Sequence, residues 1–203
     1  MRATSIEAIN ASKQPVQIEI GCGPRPRFPE YTSIDLLEYD NVDIVGDAME
    51  ALSKLRDNSV DTIFASHFLE HIDDLDGFLK QVVRVCVDGA QVRFEVPHFS
   101  NAFFYSDVTH KTFFGLYSFC YLAKNNMALK RPTPDYATVE GLELDNVRLV
   151  FKSYRPRYVR HAIRKAVQWF VNLGCYTKEF YEENLTGIVS CYELDFYLRV
   201  KKG

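Results

Sequence analysis

No run of apolar residues in this 203-residue chain approaches the ~20 needed to cross a bilayer as a helix. The first fifteen residues, MRATSIEAINASKQP, hold no apolar core of the kind a secretory signal needs, so none is expected. The five cysteines (22, 86, 120, 175 and 191) are odd in number, and no two are spaced Cys-x-x-Cys. That spacing excludes a zinc ribbon and a disulfide frame, and it reads as reduced thiols of a cytoplasmic protein. Basic residues are not in excess either. Lys and Arg total 24 against 27 Asp and Glu, for a net charge of −3. A duplex nucleic-acid binder would carry the opposite balance. An RNA-directed enzyme is disfavoured on the same ground, and an Asn/Asp-Pro-Pro-Tyr motif is missing. Two phosphate cradles are absent as well. Pro26 stands where a third glycine would complete Gly-x-Gly-x-x-Gly, and no Gly-Lys-Ser/Thr occurs. NAD and ATP held by phosphate cradling are thereby excluded.

What is present is a balanced globular composition, 47% apolar and 25% charged, with enough length for one domain and a full core. The first half alternates short apolar runs with helical patterns, which implies βαβ units and a parallel sheet. Runs at 16–20, 32–36, 42–45, 60–65 and 91–96 read as strands. Between them, 48–55 reads as a short helix. Leu75, Leu79, Val82, Val83 and Cys86 recur at helical spacing behind a cap at Asp73. Asp88-Gly89 reads as the turn that follows. Beyond Pro97, 98–109 reads as a loop, 111–124 as an aromatic helix, 142–152 as a strand and 158–173 as a basic amphipathic helix. Its Val159, Ile163, Ala166, Val167 and Phe170 share one face, and 192–200 closes the chain as an alternating strand. The expectation is a single α/β domain over 1–203, a three-layer α/β/α Rossmann-like sandwich on seven strands with the last antiparallel. It divides into a ligand-binding half, 1–97, and a second half, 98–203, with a helical insertion at about 153–187.

One segment, IEIGCGPRPRFPEYTSID (18–35), joins a strand, a Gly-x-Gly turn and a second strand ending in an acid. Gly21 and Gly23 let backbone approach a ligand closely. Glu19 can accept from a cationic amine. By itself the motif is equally a tight turn. The following strand ends add weight, because open α/β sheets bind ligands at strand carboxyl ends. Asp35 ends the second strand, where a carboxylate can take the hydroxyls of a ribose. Asp47-Ala48 follows the third, where a carboxylate and an amide suit adenine. Ser66-His67 follows the fourth.

In IEIGCG, SIDL, VGDAMEAL and VDTIFASHFLEHIDDLDGFLKQVVRVCVDGAQVRFEVP the chain resembles a class I S-adenosylmethionine-dependent methyltransferase of the type-11 group. The resemblance spans roughly 16–97, with SHFLEHI its most telling part. It implies S-adenosylmethionine as cofactor and S-adenosylhomocysteine as product. It implies Gly21 and Gly23, with Cys22 between them, at the methionine moiety and Glu19 near its amino group. Asp35, with Leu36 after it, is implied at the ribose, Asp47 and Ala48 at the adenine, and Ser66 and His67 beside the ligand. The sequence departs from the family in two places. Asp88-Gly89-Ala90 replaces Pro-Gly-Gly, and only eleven residues separate Gly23 from Asp35, where the family carries a whole helix.

The cofactor half is complete before residue 98, which leaves the second half for the acceptor. A hydroxyl acceptor needs a base, and histidine titrates in the right range. His98 follows the fifth strand directly. His110 lies three residues after Asp107, within reach of an acid that orients an imidazole. His98, Asp107 and His110 as a metal site is the minority alternative, and no metal ligand is assigned. His71 reads as structural, or as a support behind the residues that face the ligand. The basic helix has three readings: an anchor to an anionic membrane, a lid holding a phosphate or carboxylate, or an ordinary surface helix packed through its apolar stripe. The last is preferred. The expected function is methyl transfer to the oxygen of a small or saccharide-type acceptor, of the kind met in polysaccharide or secondary-metabolite pathways. The alternatives are N-methylation of a small amine, or a cofactor-binding protein without turnover. A homodimer and a peripheral membrane contact stay open.

Overall fold

The structure, a computed structural model, describes residues 4–203. Strand β1 (Val16–Ile20) lies in parallel between β2 (Thr32–Asp35) and β4 (Val60–Ser66). β3 (Ile44–Val45) extends β2, and β5 (Cys86–Pro97) extends β4, both in parallel. β7 (Leu142–Val150) and β8 (Glu193–Val200) complete the sheet, with β8 antiparallel to both β5 and β7. The order is β3-β2-β1-β4-β5-β8-β7-β6. This corrects the expected seven strands to eight: the two-residue β6 (Lys124–Asn125) pairs in parallel with the start of β7. Among the described residues six α-helices accompany the sheet: α1 (Ile6–Ala11), α2 (Ala48–Lys54), α3 (Leu75–Val85), α4 (Ser118–Leu122), α5 (Tyr158–Val171) and α6 (Cys175–Asn184).

One face of the sheet is apolar across its width. Ile20, Ala65, Phe94, Phe196 and Val147 follow one another in register from β1 to β7. Phe78 of α3 packs on Phe94, and Phe119 of α4 packs on Phe94 and Phe196. The opposite face reads Glu19, Phe64, Arg93 and Tyr197 in register. No helix lies between β1 and β2 or between β2 and β3. The third layer expected from the sequence is therefore reduced there to a loop. Pro24, Pro26 and Pro29 deny it a helix, and the amides of Arg27 and Phe28 are taken up by the buried Glu19 carboxylate, each at 2.9 Å. Phe28 stacks on Tyr31 and meets Phe64 edge-on, and these rings line a groove of about 360 Å³ with Arg93, Tyr197 and Arg199.

Several local expectations shift. The cap of α3 is Asp74, which accepts the Gly77 amide, and not Asp73. Asp88-Gly89 lies inside one continuous β5, with Gly89 at φ +82°, and the irregularity is absorbed as a register shift against β4. The aromatic helix at 111–124 contracts to α4, because Phe114 is drawn into a bridge with His98. The largest correction concerns α5. Of its apolar stripe only Val167 packs on the core; Arg164, Gln168 and Val171 face inward, and Val159, Ile163, Ala166 and Phe170 are exposed. Beyond its short pairing with β6, the outer edge of β7 leaves backbone groups open, and these demand polar partners. The Gln168 side chain accepts the Phe151 amide at 3.0 Å. Asn172, just past α5, pairs with both the amide and the carbonyl of Leu149. Arg164 donates to the carbonyls of Lys152 and Ser190.

Candidate active site at the strand ends

β1 gives way to Gly21 and Gly23, at φ +67° and +60°, a conformation that strains any residue with a Cβ. A Cβ on Gly21 would come within 3.1 Å of the Phe68 side chain, whereas the space beside Gly23 is open. Asp35, ending β2, ties this turn to its own: Oδ2 accepts the Gly23 amide at 2.8 Å and Oδ1 accepts the Leu37 amide at 2.9 Å. Leu36 and Leu37 follow it and are exposed. Cys22 lies near both Asp35 and Glu19. Burial, together with these two carboxylates, pushes its thiol up to about 11. Asp47 caps α2 by accepting the Glu50 amide through one oxygen, which leaves the second oxygen uncommitted to the helix, and Ala48 is buried beside it.

At the ends of β4 and β5 the groups are charged and paired. Ser66 donates to Glu95 at 3.0 Å. The buried Glu95 also takes the guanidinium groups of Arg27, from the proline loop, and of Arg93. His67 sits in the left-handed region, at φ +53°. Its Nε2 reaches Glu193 at 3.2 Å and its Nδ1 lies 3.4 Å from Glu70. Burial alone would depress this imidazole, but the Glu193 hydrogen bond and the Glu70 carboxylate outweigh it and raise it to about 9. Lys152 closes the chain by pairing with Glu193 at 2.8 Å. Glu95, Glu193 and Asp195 lie close enough to share a cation, but Arg27, Arg93, Lys152 and His67 already answer their charge. Sequence reading missed Arg27, Glu70, Glu95, Lys152 and Glu193. A signal was available for one of them: in ELDFYLRV, Glu193 alternates with Asp195 on a strand face buried in the sheet, where an acid needs a partner.

On the acceptor side, the two histidines separate sharply. His98 is fully buried. Its Nδ1 accepts the Ser100 amide at 3.0 Å and its Nε2 donates to Glu182 at 3.1 Å, so both ring nitrogens are used inside the fold. His110 differs. Its Nδ1 lies 2.8 Å from the Phe104 carbonyl oxygen, which only accepts, so Nδ1 carries a proton and, in the neutral ring, the lone pair is on Nε2. Asp107 lies 3.7 Å and Glu70 4.0 Å from that Nε2. The hydroxyl and amide of Thr109 hold the Asp107 carboxyl below its usual range. His71 is not a bystander: Thr109 Oγ1 contacts its Nδ1 at 2.9 Å, and its ring meets that of His110 at 4.8 Å. Glu70 is wholly buried, and neither carboxylate oxygen has a hydrogen-bond partner among the described residues. The donor atoms of Glu70, His71 and His110 fall within 4.8 Å of one another, a spacing that suits a proton relay and could also hold a divalent ion. Glu70 thus links His67, at the end of β4, to His110 on the acceptor loop.

Residues 18–94 match the model of a methyltransferase domain family. Over these residues the chain is similar to methyltransferase domains of the type-11 group. The match covers less than half of the chain, the part that holds the strand-end acids and glycines, and stops at Phe94. No curated protein matches the chain. Solved structures do. A SAM-dependent methyltransferase from Archaeoglobus fulgidus is 17% identical, with a TM-score of 0.54, over 95% of this chain and 88% of that one. A possible histamine N-methyltransferase from Thermotoga maritima is 14% identical, with a TM-score of 0.53, over 98% of this chain and 88% of that one. The [4+2]-cyclase SpnF is also 14% identical, with a TM-score of 0.51, over 98% of this chain and 79% of that one. At these identities the likeness establishes the fold, and the range of reactions in the names leaves the acceptor to be argued from the site.

The Archaeoglobus fulgidus protein is described as SAM-dependent, so S-adenosylmethionine is the group to set against these residues. The strand ends suit it. The Gly23 turn leaves room for close approach. Asp35 and Asp47 keep acceptor capacity beyond their backbone bonds, since each carboxylate offers about four lone-pair sites. The exposed Leu36, Leu37 and Val45 provide apolar contact for a base. Glu19 fits less directly than the sequence suggests, because its two oxygens anchor the proline loop.

Proposed function

We propose that this methyltransferase transfers a methyl group to the oxygen of a small or saccharide-type acceptor, with His110 as the proton acceptor. The bound cofactor supplies an electrophilic methyl on a sulfonium. The protein orients the two partners and removes the proton from the acceptor hydroxyl. In this reading Gly21, Cys22 and Gly23 hold the methionine end, Asp35 and Leu36 the ribose, and Asp47 and Ala48 the adenine. Ser66 and His67 stand beside the transferring group. The observation that carries the assignment of the base is the fixed tautomer of His110: its Nδ1 proton is committed to Phe104, so its neutral Nε2 can accept. The nearby Asp107 and Glu70 carboxylates stabilise the imidazolium that results. His98 is set aside as the base because both of its nitrogens are bonded within the core.

The test is release of S-adenosylhomocysteine across a panel of sugar and phenolic hydroxyls and small amines, using wild type and His110→Ala. The expected result is turnover on a hydroxyl acceptor that falls at least 100-fold in the variant, while thermal stabilisation by S-adenosylhomocysteine is kept. Undiminished transfer in His110→Ala, or transfer to amines alone, would overturn the assignment. No stabilisation of the wild type by saturating S-adenosylhomocysteine would overturn the cofactor roles.

A further inference from the structure

Helix α5 is amphipathic in the inverted sense. At 100° per residue, Val159, Ala162, Ile163, Ala166, Trp169 and Phe170 fall on one arc, and this arc points to solvent. Val159 is 76% exposed, Ile163 60% and Trp169 69%, while Arg164 and Gln168 are buried beneath. The apolar surface does not end with the helix. Phe170 continues into an apolar groove of about 320 Å³, bounded by Leu185 and Ile188, and Ile188 is itself 78% exposed. A contiguous apolar face of this extent marks a docking surface.

The charges around it select the occupant. From Arg155 to Leu173 there is no acidic residue, whereas Arg155, Arg157, Arg160, Arg164 and Lys165 lie within that span, on a chain of net charge −3. Arg155, Arg157, Arg160 and Lys165 are exposed. None of Arg155, Arg157 and Arg160 pairs with an acid among the described residues. Arg160 and Lys165 flank the apolar arc on opposite sides. Their long stems can lie along it while the charges reach outward. Tyr158 and Trp169 add rings that favour a boundary between apolar and wet surroundings. A second copy of this chain docked face to face would set these cations against their own kind. An anionic bilayer meets both halves of the surface at once: acyl chains for the arc, and negative headgroups for its rim.

We propose that α5 is an interfacial helix that docks the methyltransferase flat on an anionic phospholipid surface. The helix begins beside a small pocket lined by Arg157, Arg160, Lys152 and Tyr192. Lys152 pairs with Glu193, which in turn bonds His67. Docking through α5 therefore brings the acceptor side close to the membrane.

Trp169 is the sole tryptophan of the chain, so its emission reports on this face alone. The experiment adds phosphatidylcholine vesicles, with or without phosphatidylglycerol, to the full chain and follows Trp169 emission and co-sedimentation. The expected result is a blue shift and co-sedimentation with the anionic vesicles, falling several-fold between about 0.1 and 0.5 M salt as charges are screened, and neither with pure phosphatidylcholine. The double variant Ile163→Glu, Phe170→Glu is expected to lose both signals while melting as wild type does. The proposal is overturned if wild type stays in the supernatant of anionic vesicles, or if neutral vesicles bind it equally. It is also overturned if sedimentation velocity finds a dimer, dissolved by Ile163→Glu, that does not bind vesicles. None of these readouts depends on methyl transfer.

Discussion

Asp35 accepts the amide of Gly23 at 2.8 Å across the two turns that close β1 and β2. A single carboxylate thereby holds the shape of the glycine turn and stands at the edge of the proposed cofactor cleft. With no helix between these strands, this bond and the grip of Glu19 on the proline loop do the positioning that a crossover helix does elsewhere. Asp35→Ala is expected to weaken S-adenosylhomocysteine about 10- to 100-fold, the range for a hydrogen bond to a charged group. Asp35→Asn keeps an acceptor for Gly23 and is expected to lose less. Calorimetric titration of both variants checks the order, and equal affinities for wild type and Asp35→Ala would refute it.

The two glycines are expected to fail in different ways. Gly21→Ala places a methyl 3.1 Å from Phe68 at φ +67°, so it should lower stability in urea by about 1–2 kcal/mol or more. Gly23→Ala meets only open space. It carries the left-handed strain without the clash, and it puts a methyl where the ligand must approach. Its unfolding midpoint should fall less than that of Gly21→Ala, while its affinity for S-adenosylhomocysteine should fall more.

His98 and His110 should separate stability from turnover. His98 lies in the core with Ser100 and Glu182 on its two nitrogens. His98→Ala leaves a buried Glu182 bond unmade and a cavity, an expected loss of about 2–4 kcal/mol in denaturant. His110→Ala is expected to shift the unfolding midpoint much less and to abolish turnover. A His98→Ala protein as stable as wild type would contradict the core role.

His67 should titrate far from an ordinary histidine. Its pKa is raised from 6.5 to about 9 in the folded protein. A raised basic group contributes stability that is complete below the unfolded value and is lost as pH rises through the folded one. The His67–Glu193 pair should therefore hold fully below about pH 6.5 and release between there and about pH 9. Proton resonances of His67 followed from pH 5 to 10 check this. Glu193→Gln should bring the midpoint down toward 6.5, and a wild-type midpoint already near 6.5 would rule the pairing out.

Much of the fold of the first half was legible in the residues themselves. Local rules suffice there. Alternating apolar runs set the strands, Gly-x-Gly can only turn, and acids placed after strand ends must lie at one edge of a parallel sheet. The prolines of 24–29 announced the missing crossover helix before any coordinate did. Tertiary structure alone decided the rest. The sequence pattern offered His98 and His110 as equals, and only the fold buried one against Glu182 and left the other an open nitrogen. His71 and Glu70 joined the acceptor cluster because the loop from Asn101 to Lys111 folds back over the end of β4, a contact that no spacing encodes. The apolar stripe of α5 was plain in the sequence, but its direction was not. Periodicity says which residues share a face; what a face meets depends on the partner. Here the partner is the backbone at the end of β7 and just beyond it, where Leu149 takes Asn172, Phe151 takes Gln168 and the carbonyls of Lys152 and Ser190 take Arg164, and so most of the apolar stripe was turned to the outside.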